Sequence, residues 1–121
     1  VKPKMLVRGV DMVIVFVSDM DRSLAWYEQV LGLVPKVRHG DWATFDLPGT
    51  TLALHATGDM PTGGQRTMAC FDVEDYAAAK SDLEAKGCRF VFENSTPASI
   101  FGTFTDPDGT QLQILQRQPA T

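Results

Sequence analysis

Few side chains in this sequence have chemistry to offer. They are two histidines, two cysteines and an amide, Gln113, set among apolar neighbours. Near the C-terminus the chain reads T-F-T-D-P-D-G-T-Q-L-Q-I-L-Q, from Thr103 to Gln116. Gln111 and Gln113 alternate with Leu112 and Ile114, so the two amides share a strand face with Leu115. His55 follows Ala53 by two residues and shares its face in the same way. An imidazole can ligate a metal or carry a proton. Trp42 can stack on a planar or cationic ligand. Met12 and Met68 offer adaptable thioethers. Nothing near Cys70 in sequence would activate its thiol, so it reads as an inert small hydrophobe. Asp106 and Asp108 read as turn formers, and His39 as a surface turn residue. No nucleophile triad, phosphate loop or paired-carboxylate spacing appears. The remaining chemistry is recognition of a small molecule, with apolar walls and isolated polar groups.

These residues need elements to position them. Val10–Val17 is a β-branched and aromatic run, a strand by composition. Ser18 and Asp19 offer a helix N-cap. Met20, Leu24, Tyr27 and Leu31 then recur on one helical face, with Gly32 as C-cap, predicting a helix near 21–31. Strands follow at Val34–Arg38, Trp42–Asp46 and Thr51–Ala56. The segment Gly58–Gln65 carries Pro61, Gly63 and Gly64 and reads as a linker. The order then repeats. Met68–Val73 is a strand, Glu74-Asp75 caps a helix near 75–86, and Arg89–Phe92, Ser99–Thr105 and Gln111–Gln116 are strands. Asp106-Pro107-Asp108-Gly109 makes the last hairpin turn.

The repeat has a measurable offset. Phe16-Val-Ser-Asp19 matches Asp72-Val-Glu-Asp75, with residues 16 and 72 lying 56 apart. Asp46, Gly49, Thr50, Leu52 and Leu54 match Asp106, Gly109, Thr110, Leu112 and Ile114, with residues 46 and 106 lying 60 apart. Two matches in one element order argue for a duplicated βαβββ unit. The expected organisation is a single domain over 1–121, with modules at about 10–57 and 67–117 joined by a linker at about 58–66. Period-two alternation puts Met12, Ile14, Phe16, Trp42, Ala53, His55, Met68, Cys70, Gln113 and Leu115 on the strand faces turned from the helices.

Composition narrows the partners. A formal charge of −4 gives no basic footprint for nucleic acid. No apolar run approaches a membrane span, and Val1–Gly9 lacks the apolar core of a secretory leader. Two cysteines, Cys70 and Cys88, read as free thiols in a reducing cytoplasm, with a disulfide as the alternative.

Three stretches resemble the vicinal oxygen chelate superfamily of glyoxalases, bleomycin-resistance proteins, extradiol dioxygenases and fosfomycin-resistance enzymes. They are Val17-Ser18-Asp19 with Ser23–Tyr27 and Val30–Leu33, Phe71–Asp75 with Gly87, and Gly102 with Phe104–Gly109. The resemblance implies an α+β fold in which two βαβββ modules form a curled mixed sheet, a cup, with helices packed on the outer face. It also implies homodimers whose pockets are completed between chains. Metal-dependent relatives place ligands at four points. Carried over, these fall on Met12, Ala53, Met68 and Gln113, with His55 reachable by a two-residue register shift.

A methyl group, two thioethers and an amide make a poor site for a hard divalent ion. The expectation is therefore a metal-independent binding protein without cofactor, bleomycin-resistance-like in character. It would sequester a drug or metabolite as a cytoplasmic homodimer, without nucleic acid or membrane partners. Met12, Phe16, Trp42, His55, Met68 and Gln113 would contact the ligand. The alternative is a metal-dependent glyoxalase-like lyase or dioxygenase of the same superfamily.

Overall fold

The computed structural model describes residues 5–60 and 62–118. Pro61 of the expected linker lies outside them, as do residues 1–4 and 119–121. The chain forms two compact units, one running from Met12 to Met68 and the other built from the residues up to Asp11 with those from Ala69 onward. Each carries a mixed four-stranded sheet and one helix, the α+β plan of two βαβββ modules.

The first module holds β1 (Gly9–Val17), α1 (Met20–Leu31), β2 (Val37–His39), β3 (Trp42–Leu47) and β4 (Thr50–Ala56). Asp19 takes the N-cap, its carboxylate accepting from the Arg22 amide at 3.0 Å. Such a cap is worth about 1 kcal/mol. Gly32 ends α1 with φ 71°, a left-handed conformation that costs glycine nothing. Met20, Leu24 and Tyr27 pack on Ala43, Phe45 and Leu54. Leu31 leaves the helical stripe expected of it and is 55% exposed, and Leu33 joins the cluster instead. β2 starts at Val37, three residues later than expected, after Pro35, which has no amide to give a ladder.

The second module holds β5 (Thr67–Asp72), α2 (Tyr76–Ala85), β6 (Phe90–Ser95), β7 (Ser99–Thr105) and β8 (Gln111–Arg117). Asp75 caps α2 by accepting from the Ala78 amide. Gln116 adds its own carbonyl to the Tyr76 amide at 2.7 Å, so one of the strand's polar residues serves the helix. Val73, Tyr76, Ala79, Phe104 and Ile114 form the core. Asp106 builds the hairpin turn, its carboxylate accepting from the amides of Asp108 and Thr110 at 2.9 Å each.

Strand register bears out the repeat independently of residue type. In the first module Ile14 pairs with Ala53 in parallel β1 and β4. In the second, Cys70 pairs with Gln113 in parallel β5 and β8. Residues 14 and 70 are 56 apart and residues 53 and 113 are 60 apart, the two offsets read from the sequence.

Candidate functional site

The first module presents a continuous row of rings on the sheet face turned away from α1. His55 in β4 pairs with Phe16 of β1 on one side and with Trp42 of β3 on the other. Cross-strand neighbours on one face lie close enough for side chains to touch. The Phe16 and His55 rings are 6.0 Å apart, and the Trp42 and His55 rings 5.9 Å apart, edge to face. The imidazole Nε2 lies 3.9 Å from the Asp41 carboxylate. That is too long for a hydrogen bond. With 40% of its side chain exposed, His55 is open to a substrate. The arrangement offers two aromatic walls, a base between them and a carboxylate behind the base.

The duplicated position in the second module lacks this chemistry. There Leu115 stands where His55 does, Asp72 where Phe16 does and Phe101 where Trp42 does. Asp72 is taken up by Arg8, which donates to both of its carboxylate oxygens. What the second module has instead is Gln113, 7% exposed, between Cys70 and Thr103 on neighbouring strands. Met12 and Met68, 6% and 7% exposed, are buried on β1 and β5.

Cys70 is fully buried. Burial first, and then the negative Asp11 nearby, push its thiol up to about 12. It stays protonated at neutral pH and is no nucleophile. Both cysteines are free thiols. In the native protein at pH 8, an excess of an aromatic disulfide reagent is therefore expected to leave Cys70 unmodified while half-buried Cys88 reacts. Both should react in denaturant. Fast native labelling of Cys70, located by mass spectrometry, would contradict this.

The ligand positions that the resemblance implies fall on Met12, Ala53, Met68 and Gln113. Among the described residues no group of three or more His, Cys, Asp and Glu could hold a metal ion. A donor set of thioethers, a methyl group and an amide does not fit a hard divalent cation. Two hollows lie elsewhere. One of about 540 Å³ runs along α2 beside Met5 and Leu6, and one of about 220 Å³ is lined by Arg22, Ser23, Trp26 and Tyr27 on α1. Both are helix-side surface, with Asp75 and Asp82 of the larger already engaged in a helix cap and an ion pair.

Sequence reasoning missed Asp41 and Thr103. Asp41 sits in a turn, where no periodicity applies. Thr103 was legible in principle, because the D-P-D-G turn fixes the β7–β8 register that sets it opposite Gln113.

The chain matches the Glyoxalase/Bleomycin resistance protein/Dioxygenase superfamily over residues 9–114. It is 37% identical over 119 residues to the metallothiol transferase FosB of Lysinibacillus sphaericus (strain C3-41), covering 91% of this chain and 83% of that protein. Its fold resembles methylmalonyl-CoA epimerase from Mycobacterium tuberculosis, with TM-score 0.78, 23% identity and coverage of 98% and 94% of the two chains. It also resembles a superfamily member from Vibrio splendidus 12B01, with TM-score 0.68, 20% identity and coverage of 91% and 98%. These findings correct one expectation. A metal-independent protein that only sequesters its ligand is not what they support, since the curated relative is by name a metal-using transferase. They favour the alternative, an enzyme of the superfamily. The sequence pointed the other way because Met12, Ala53, Met68 and Gln113 make a poor donor set for a hard divalent ion.

Proposed function

Because the chain belongs to the Glyoxalase/Bleomycin resistance protein/Dioxygenase superfamily, we propose that it is an enzyme joining a low-molecular-weight thiol to a small electrophile. The observation that carries this reading is the 37% identity with a metallothiol transferase across 91% of the chain. The ring row of the first module supplies a place for the chemistry. Phe16 and Trp42 would hold the apolar body of the electrophile. His55 would accept the thiol proton at an imidazole nitrogen, and Asp41 would stabilise the resulting imidazolium. General-base help of this kind contributes about 10²–10⁴-fold. Met12 and Met68 would serve as walls, and Gln113 as a polar contact of the second module.

The whole of 1–121 is taken as one functional domain. The protein is placed in the cytoplasm, where both cysteines would stay free. No helix among the described residues is long and apolar enough to cross a membrane. A homodimer is the proposed assembly. β2 and β6 each pair on one side only within their modules, and unpaired strand edges invite pairing with a second chain.

The test is thiol consumption. Glutathione or cysteine is mixed with an epoxide, an α,β-unsaturated carbonyl or an α-oxoaldehyde, with and without added Zn, Ni, Mn or Fe. Protein-dependent loss of thiol with at least one electrophile is expected. If no combination reacts faster than its protein-free control, the transferase reading fails. Conversion of the α-oxoaldehyde adduct with thiol returned would instead favour the lyase alternative.

A further inference from the structure

Gln113 and Thr103 are buried polar side chains on the face of the second module turned from α2, 7% and 4% exposed. They sit directly opposite each other in the β7–β8 ladder. Their strand neighbours Phe104, Leu112 and Ile114 point the other way, into the helix-side core. Among the described residues neither the Gln113 amide nor the Thr103 hydroxyl has a hydrogen-bond partner. Buried polar groups of native proteins are nearly always paired, so two adjacent exceptions call for an explanation. The one fully sealed side-chain polar atom without a partner among the described residues is the Thr50 hydroxyl. The amide and the Thr103 hydroxyl are not sealed in that way.

We propose that Thr103 and Gln113 form a subsite that binds an uncharged oxygen function of the substrate, a carbonyl or a hydroxyl. The amide offers two donors and an acceptor, and the hydroxyl one donor and two lone pairs. Together they can both donate to and accept from one oxygen-bearing group. The surroundings exclude a charged one. Along the ladder the flanking residues are Cys70, Phe92, Phe101, Thr105, Gln111 and Leu115, none of them ionic at neutral pH. The charges that act on neighbouring Cys70, those of Asp11, Arg117 and Asp72, are committed. Arg117 donates to both oxygens of Asp11 at 2.6 and 3.1 Å, and Arg8 likewise to Asp72 at 3.2 and 2.8 Å. A carboxylate or phosphate seated between Thr103 and Gln113 would be desolvated with no counter-charge. The repeat sharpens the point. In the first module the matching pair is Thr44 and Ala53, so only the second module has the amide.

This deepens the reading of the chain as a small-molecule enzyme and rests on it, but the test separates the two. Thr103→Val and Gln113→Leu remove polar groups that have no hydrogen-bond partner among the described residues. Both are expected to raise the melting temperature, by about 2–5 °C. The ¹⁵N-labelled full chain is titrated with hydroxyacetone, and separately with lactate as an anion of the same size. Hydroxyacetone is expected to shift the Gln113 side-chain NH₂ resonances saturably, at least fivefold more weakly in Thr103→Val, while lactate leaves them in place. A lowered melting temperature in both variants would show the groups to be satisfied and overturn the subsite. Equal response to lactate, or none to hydroxyacetone, would overturn it too. If the NH₂ shift appears but no thiol is consumed with any electrophile, the subsite stands and the transferase reading falls. If thiol transfer is found and both variants retain it unchanged, the reverse holds.

Discussion

His55→Gln is expected to lower the rate of thiol transfer by about 10²-fold or more. Glutamine keeps a polar group of similar length between Phe16 and Trp42 but cannot take a proton. The loss should fall on kcat, because the ring walls that hold the substrate remain. Trp42→Ala should divide differently, raising KM more than it lowers kcat, since it removes a wall and leaves the base. Stability offers a control. The His55 side chain is 40% exposed and lies outside the helix-side core, so His55→Gln should melt within a degree or two of wild type. Asp41→Asn should fall between, because a carboxylate 3.9 Å away makes no hydrogen bond to the imidazole. Unchanged turnover in His55→Gln, with the fold intact, would move the chemistry off the ring row. Loss of turnover accompanied by unfolding would be settled by Trp42→Ala, which must still show the KM-weighted defect.

Gly102→Ala is expected to destabilise the protein by about 2–4 kcal/mol, chiefly through overpacking, with the loss of a part-buried hydrogen bond added. Gly102 lies in β7 directly opposite Glu93 of β6. The Tyr76 phenol crosses above it to donate to Glu93 Oε2 at 2.7 Å. Lys80 donates to the other carboxylate oxygen at 2.6 Å while standing over the Phe90 ring. A methyl group on Gly102 would occupy the place of the Tyr76 hydroxyl and press on two carbons of Phe90. Neither ring can yield easily, because Tyr76 and Phe104 are core residues and Phe90 packs against them. The melting temperature should fall by about 10 °C. Repeating the change in a Tyr76→Phe background should recover part of the loss, and the double-mutant cycle measures the coupling. A Gly102→Ala protein within 0.5 kcal/mol of wild type in urea melts, a spread normal for surface changes, would rule this packing out.

The same strap has a pH sign. Lys80 first, and then Tyr76, hold the Glu93 carboxyl below its usual range. Its contribution is therefore present at neutral pH and is lost only in acid, as the pH falls through that lowered value. Burial first, and then the bond to Glu93, raise the Tyr76 phenol well above the ordinary tyrosine range. The donor keeps its proton across the physiological range.

Much of this molecule is set by local physical chemistry. Asp19 and Asp75 cap helices because a short carboxylate reaches the open amides of the first turn, and Asp106 with Gly109 makes a turn for reasons contained in four residues. Alternation along β1, β4 and β8 separates the helix-side core from the opposite face, since a strand points successive side chains to opposite sides. The duplicated offsets of 56 and 60 fixed the element order, and strand pairing agrees with them. Leu31 shows the limit of periodicity, which marks a stripe without saying where the packed surface ends. Only the tertiary structure decided which residues meet. His55 lies 14 residues from Asp41 on one side of its environment and 39 from Phe16 on the other, counted along the chain. A sequence does not display such neighbours, because they are created by strand register. Thr103 and Gln113 became a pair in the same way, and that they lack partners is visible only when every neighbouring donor and acceptor has been placed.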